Sequence, residues 1–172
     1  MDHDPKDALE ALGELHAAID AEAAQLAAGH GERLVCKAGC CQCCVDELTV
    51  FEVEAERIRR ASPDVLASAP HPTGACAFLD DAGHCRVYND RPYVCRTQGL
   101  PLLWFEEDSE EEIHELRDIC ELNVEGQPLA ELEYDEMWTI GPRELDLQRL
   151  QGRFSGGGQE RVALRELFET RA

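Results

Sequence analysis

Five of the nine residues from Cys36 to Cys44 are cysteine, in the stretch CKAGCCQCC, and this cluster constrains the chain more than any other feature. Four more cysteines follow, at Cys76, Cys85, Cys95 and Cys120. A hydrophobic core gives no reason to concentrate thiols, because a free cysteine packs like any small apolar side chain. The odd count of nine and the lack of an export signal disfavour disulfides and predict a cytoplasmic protein. Clustered thiols in a reducing compartment indicate metal binding or redox chemistry.

Charge excludes two classes of partner. The 172 residues carry 36 Asp and Glu against 16 Lys and Arg, a formal charge of −20. Such a field repels phosphate backbones and anionic headgroups, so we expect neither nucleic acid nor a membrane surface as partner. No apolar run approaches the roughly 18 residues of a spanning helix. The charge does not exclude a protein partner.

Periodicity predicts helices on both sides of the cluster. Leucines at three- and four-residue steps predict an amphipathic helix over residues 4–28, with Asp4 as its N-cap and Gly29 as its stop. Thr49 and Glu52 match a capping box, which predicts the start of a second helix.

The second half of the sequence predicts a few strands and more helix. Two short apolar arms at 76–79 and 85–88 predict a hairpin, and the apolar residues 99–105 are typical of extended chain. Residues 113–120 predict a strand that leads to Cys120, after an acidic loop. From about Leu129 the tail has a helical pattern.

These elements predict an α+β fold, a mostly helical small domain with a short β-hairpin, organised around a cysteine-bound metal centre. We divide it into an N-terminal amphipathic helix at 1–30, a cysteine-cluster metal-binding domain at 31–125 and a C-terminal helical tail at 126–172. The tail is expected to pack on the same domain.

Closely spaced thiols on a turn supply much of a metal's coordination sphere, and Gly39 permits that turn. The adjacent Cys43 and Cys44 are expected to point apart, so that they serve different metals or bridge a pair. Two four-coordinate sites need eight ligands, which leaves Cys41 spare. The predicted metal ligands are Cys36, Cys40, Cys43, Cys44, Cys76, Cys85, Cys95 and Cys120.

The identity of the metal and its role stay open at this point. Thiolate ligands favour zinc, copper(I) or iron–sulfur clusters. Zinc forms tetrahedral four-thiolate sites readily, whereas the spacing of Cys36, Cys40 and Cys43 suits a loop that holds an iron–sulfur cluster. A closed site makes a metal-binding protein with no assigned biochemical role. The alternative is an iron–sulfur or other metal-dependent enzyme or redox protein, acting on a protein or small molecule.

Polar residues near the cysteines have two interpretations. Arg91 and Arg96 either neutralise a thiolate-bound metal or pair with Asp90 and the acidic loop. His71 and His84 are alternative ligands, although a histidine in a loop is usually only solvated.

The two cysteine segments together resemble the YkgJ-like cysteine-cluster family, known by a CxxCxxCC signature and associated with zinc or iron chelation. Its first motif, C-x2-G-C-x2-C-C, is matched from Cys36 to Cys44, with Cys41 outside the pattern. A second motif, C-P-F-L…C-x-I-Y-x-x-R-P-x-x-C-R, is matched at Cys76, Phe78, Leu79, Cys85, Tyr88, Arg91, Pro92, Cys95 and Arg96. Ala77 and Val87 depart from it.

The resemblance extends from Cys36 to Asn123 and implies zinc or iron chelation by the matched cysteines. Cys120, within CELN, is similar to a feature of one branch of the family. Flagellin lysine-N-methylases have a similar cysteine pattern, which implies that some relatives are iron–sulfur enzymes. This chain is short for such a methylase, so that activity is not transferred.

Overall fold

The structure, a computed structural model, describes residues 5–37 and 39–169. It mixes helices with two small sheets, which confirms the α+β class. The helices are α1 (Pro5–His30), α2 (Glu52–Ala61), α3 (Pro63–Leu66), α4 (Tyr93–Arg96) and α5 (Pro142–Ser155). The strands are β1 (Thr49–Phe51), β2 (Leu102–Glu107), β3 (Ile113–Asp118), β4 (Trp138–Thr139) and β5 (Arg161–Ala163). Single turns of 3-10 helix fill several connections.

The predicted N-terminal helix is confirmed as α1, but it ends later than expected. It continues through Gly29 to His30, and Gly31 with a φ of 54° follows it. The predicted N-cap, Asp4, lies outside the described residues. The apolar stripe of α1 buries Leu12 and Ile19 completely, which explains why periodicity found this helix.

The predicted capping box at Thr49 is wrong. Thr49 begins β1 and pairs with Ala163 of β5, so α2 starts two residues later than predicted, after Phe51, with no side-chain cap. Pairing with a strand more than a hundred residues away decides the conformation of this segment. A local capping pattern contains no information about that partner.

The main hairpin lies later in the chain than the sequence suggests. Strands β2 and β3 pair antiparallel from Leu102↔Asp118 to Glu107↔Ile113, and β4 joins β2 in parallel. This confirms both predicted strands. The hairpin predicted at residues 76–88 is reduced to a single antiparallel bridge, Leu79↔Cys85.

The tail is less helical than predicted. Helix α5 is confirmed and ends at Ser155, followed by Gly156 with a left-handed φ of 72°. Residues 129–136 form only single 3-10 turns, where we expected a helix. The last segment is β5 followed by the 3-10 turn Leu164–Phe168.

Two apolar clusters position the rest of the chain. The first joins the three long helices with residues from α4 and β4. The second lies under the cysteine-bearing loops and includes Phe78, Ile58 and Leu164, all at most 4% exposed. Half-buried Cys41, Cys44 and Cys85 pack against it. Within the described part of the chain, no helix is long and apolar enough to cross a membrane.

Candidate metal centre

The cysteine cluster is built from two successive turns. The Cys40 N–H donates to Lys37 O at 2.9 Å, and the Cys44 N–H donates to Cys41 O at 2.9 Å. Gly39 has a φ of 85°, which confirms the predicted role of this glycine. Across the two turns, Cys36 and Cys40 contact each other, and so do Cys43 and Cys44.

The first set of thiols comprises Cys36, Cys40 and Cys120, here called the surface group. Cys36 is exposed and the other two are half-buried. Partial burial raises the pKa of the Cys36 thiol, and the nearby Cys120 and Cys40 thiols raise it further. The Cys36 and Cys40 side chains also share a hydrogen bond. Residues 84 positions apart are therefore neighbours at this site.

The second set comprises Cys43, Cys44, Cys76, Cys85 and Cys95, here called the inner group. Its core is a main-chain link, in which the Cys76 N–H donates to Cys44 O at 2.9 Å. Cys95, on α4, interacts electrostatically with the thiols of Cys76, Cys85 and Cys43. Three separate stretches of chain therefore meet at the inner group.

The adjacent Cys43 and Cys44 do not point apart, so that expectation is wrong. Their thiols share a hydrogen bond. Donation from Cys44 lowers the pKa of Cys43 and raises that of Cys44. The turn that closes from Cys44 N–H to Cys41 O explains the difference, because opposite directions for neighbouring side chains are a property of extended strands.

The other inner thiols hold their protons firmly in this environment. Burial raises the pKa of Cys95 to about 12, with further increases from the nearby Cys76 and Cys85 thiols. Burial also raises the pKa values of Cys76 and Cys85. A metal that binds these sulfurs must displace protons from them.

Cys41 is assigned to neither group, although it packs against the second apolar cluster as Cys44 and Cys85 do. Its sulfur lies beside Gly83, 3.5 Å from the position that a Cβ there would occupy. Gly83 belongs to the loop between the two arms of the reduced hairpin.

The arginines near the cysteines pair with α1, contrary to both local pairings that we considered. Arg96 donates to Asp20 Oδ2 at 2.6 Å, and Arg91 lies 3.8 Å from Asp20 Oδ1. Asp90 pairs instead with Arg57 at 3.0 Å. The charge of Arg91 also lowers the pKa values of Cys43 and Cys85, although burial and hydrogen bonding have larger effects on those thiols. Arg91 therefore faces both the inner group and Asp20.

Arg165, which sequence reasoning missed, fixes the loop before Cys76. Arg165 donates to both carboxylate oxygens of Asp46 at 2.9 Å, and to the carbonyls of His71 and Ala75 at 2.8 and 2.9 Å. This anchors the segment after Cys44 to the segment before Cys76. The sequence offered no signal for this contact, since 119 positions separate Arg165 from Asp46.

The two candidate histidines lie near the cysteine loops. His84 Nε2 is 3.5 Å from the position that a Cβ on Gly39 would occupy, and His84 Nδ1 lies 3.6 Å from Asp80. The main chain of His71 joins the loop held by Arg165.

A different set of side chains has the tightest spacing of ligand atoms. Among residues 5–37 and 39–169, Asp108, Glu112 and His114 place their ligand atoms within 4.8 Å of one another. Among the same residues, no three of the cysteine sulfurs lie that close together. This exposed set lies at the tip of the β2–β3 hairpin, where Asp108 Oδ1 accepts the backbone N–H groups of Glu110 and Glu112.

The comparison with protein families agrees with this arrangement. The model of the CxxCxxCC family, described as "putative zinc- or iron-chelating domain", matches residues 35–121, half of the chain. The chain belongs to the CxxCxxCC family. The match contains all nine cysteines, while α1 and α5 lie outside it. No curated protein and no solved structure gives a significant match.

The donor set fits the metals in the family description. Thiols are soft donors that suit zinc and iron, and those of the inner group lie close to the cationic Arg91. A positive charge beside bound thiolates offsets part of their negative charge.

Proposed function

We propose that this CxxCxxCC protein binds zinc or iron at two centres, one in the surface group and one in the inner group. The observation that carries the proposal is the convergence of eight cysteines from distant parts of the chain into two groups. Packing of small apolar side chains requires no such sorting.

The inner group is proposed as the structural centre. It offers five thiols, enough to close a tetrahedral sphere around one ion with one sulfur left over. Cys76 is buried and the other four are half-buried, so a metal there is more shielded from solvent than one in the surface group. A closed thiolate site of this kind contributes roughly 10–16 kcal/mol of apparent binding energy to folding.

The surface group is proposed as the more exchangeable centre. Its three thiols leave one position of a tetrahedral ion for solvent or for a further ligand. Cys36 is exposed, so an ion there can be reached from outside. We therefore expect a chelator to remove metal from the surface group more readily than from the inner group.

Serine substitutions test the proposal, since serine removes the soft ligand at almost constant volume. We expect the double substitution Cys43→Ser/Cys44→Ser, which leaves three inner thiols, to lower both metal content and solubility, and Cys120→Ser to lower metal content alone. Cys41→Ser is the matched control, because Cys41 lies in the same loop and its sulfur lies beside Gly83. Metal content is measured by elemental analysis of protein purified without oxygen.

Two results would contradict the proposal. Full metal loading in both Cys43→Ser/Cys44→Ser and Cys120→Ser would remove the two groups as metal sites. Loss of a whole metal equivalent in Cys41→Ser would show that the assignment of cysteines to the groups is wrong.

A further inference from the structure

Asn123 is completely buried beside the surface group, and its side chain joins three segments of the chain. Its Nδ2 donates to Gly99 O at 2.7 Å and to Cys36 Sγ at 3.3 Å. Its Oδ1 accepts the N–H of Val35 at 3.0 Å. Both ends of the amide are thus satisfied, and one of its donors is directed at a thiol.

The main chain of Asn123 adds a second connection to the same group. Its N–H donates to Cys120 O at 2.7 Å, and its carbonyl accepts from Arg33 Nε at 3.0 Å. Asn123 therefore fixes the turn that presents Cys120 and also the segment that leads into Cys36. Two of the three surface thiols are oriented through this one residue.

Gly99 completes the environment of the Cys36 sulfur. Its φ is +95°, and a Cβ at this position would lie 3.0 Å from Cys36 Sγ and 3.4 Å from Asn123 Nδ2. The first distance is at the limit of what real Cβ contacts show. A side chain at residue 99 would therefore push the sulfur away from the amide that it contacts.

We propose that Asn123 is a positioning residue for a metal ion held by the surface group, acting through its N–H···S hydrogen bond to Cys36. This rests on the proposed function. A donor bonded to a thiolate fixes the direction of the sulfur and withdraws some of its charge. Because the amide is buried and fully bonded, it needs no rearrangement when the ion arrives. Such outer contacts typically change metal affinity about 10- to 100-fold.

Cobalt(II) titration of the metal-free protein tests this directly, since thiolate-to-cobalt charge-transfer bands report the ligand sulfurs. We expect Asn123→Ala to weaken cobalt binding at the surface group about 10- to 100-fold. We also expect its charge-transfer band to move to longer wavelength, because the sulfur loses a stabilising donor. A Cys120→Ser protein identifies which bands belong to this group, and the bands of the inner group should not change.

Gly99→Ala provides a second test that leaves the amide in place. It should weaken cobalt binding at the same group as Asn123→Ala does. Gly157→Ala is the matched control, because Gly157 has a similar φ of +112° with nothing within 4 Å of its Cβ position. It should bind cobalt like the unaltered protein. If Asn123→Ala does not fold, the comparison of Gly99→Ala with Gly157→Ala decides whether Asn123 positions the ion.

The possible failures can be told apart. Wild-type cobalt affinity and band position in Asn123→Ala, or wild-type affinity in Gly99→Ala, would overturn the role of Asn123 and leave the proposed function standing. Identical titrations of the unaltered protein and Cys120→Ser would overturn the surface group as a metal site, and with it the role of Asn123.

Discussion

Replacing Glu54 with leucine should destabilise the junction of three helices beneath the inner group. Glu54 lies on α2 with 3% of its side chain exposed, and Oε1 accepts the N–H of Tyr93, the first residue of α4, at 2.7 Å. The same oxygen accepts from His16 Nε2 of α1 at 3.3 Å. Glu54→Leu would leave two buried donors without a partner.

The size of the effect follows from those two contacts. Each buried donor left unsatisfied costs about 1–3 kcal/mol, and removing a buried carboxylate returns part of this total. We therefore expect Glu54→Leu to lower the free energy of unfolding by about 3 kcal/mol, measured by urea denaturation at pH 7. Glu54→Gln keeps an acceptor for the Tyr93 N–H and should lower the free energy of unfolding by less than Glu54→Leu.

A second substitution on the same helix serves as the control. Glu56 pairs with Arg60 in a partly exposed i,i+4 contact, where about 0.5 kcal/mol is at stake. Equal losses in Glu54→Leu and Glu56→Leu, or an unchanged stability in Glu54→Leu, would refute the reasoning. The result bears on the metal centre because α4 carries Cys95.

Three further outcomes are expected. Burial lowers the pKa of His16 below 6.5, outweighing its hydrogen bond to Glu54, while Arg96 and Arg57 lower it further. As the pH falls, His16 is therefore protonated in the unfolded chain before it is protonated in the folded one. The free energy of unfolding should fall as pH falls below about 6.5, by at most about 1.4 kcal/mol per pH unit. His16→Gln should show a shallower slope in urea unfolding between pH 7 and 5.5, and an equal slope would contradict this. Asp20→Asn leaves Arg96, 3% exposed, without its 2.6 Å counter-charge, and should cost about 1–2 kcal/mol of unfolding free energy; an unchanged urea midpoint would contradict it. A strong chelator should lower the melting temperature of protein purified without oxygen, and an unchanged melting temperature would show that metal does not support the fold.

Elements with long local patterns could be predicted from the sequence. The apolar stripe of α1, the Gly-Pro start of α5 and the two strands β2 and β3 each contain their own signal. Strands β1 and β5 have three residues each and exist through pairing with each other, so no local pattern marks them. The same pairing made Thr49 a strand residue where a cap was expected.

The candidate site was likewise predictable from the sequence only in part. Spacing and family resemblance identified the cysteines, but their sorting into two groups depends on how distant segments meet. Asp20 and Arg165 lie outside the matched region and pair with residues 76 and 119 positions away. Asn123 lies three residues after Cys120 and ends the stretch CELN, and these were the available signals for its role.

Elemental analysis of the protein purified without oxygen, together with its visible spectrum, tests the central claim most directly. We predict about two equivalents of zinc or iron per chain, with a visible charge-transfer band if the metal is iron. Folded, soluble protein that contains neither zinc nor iron would contradict the account.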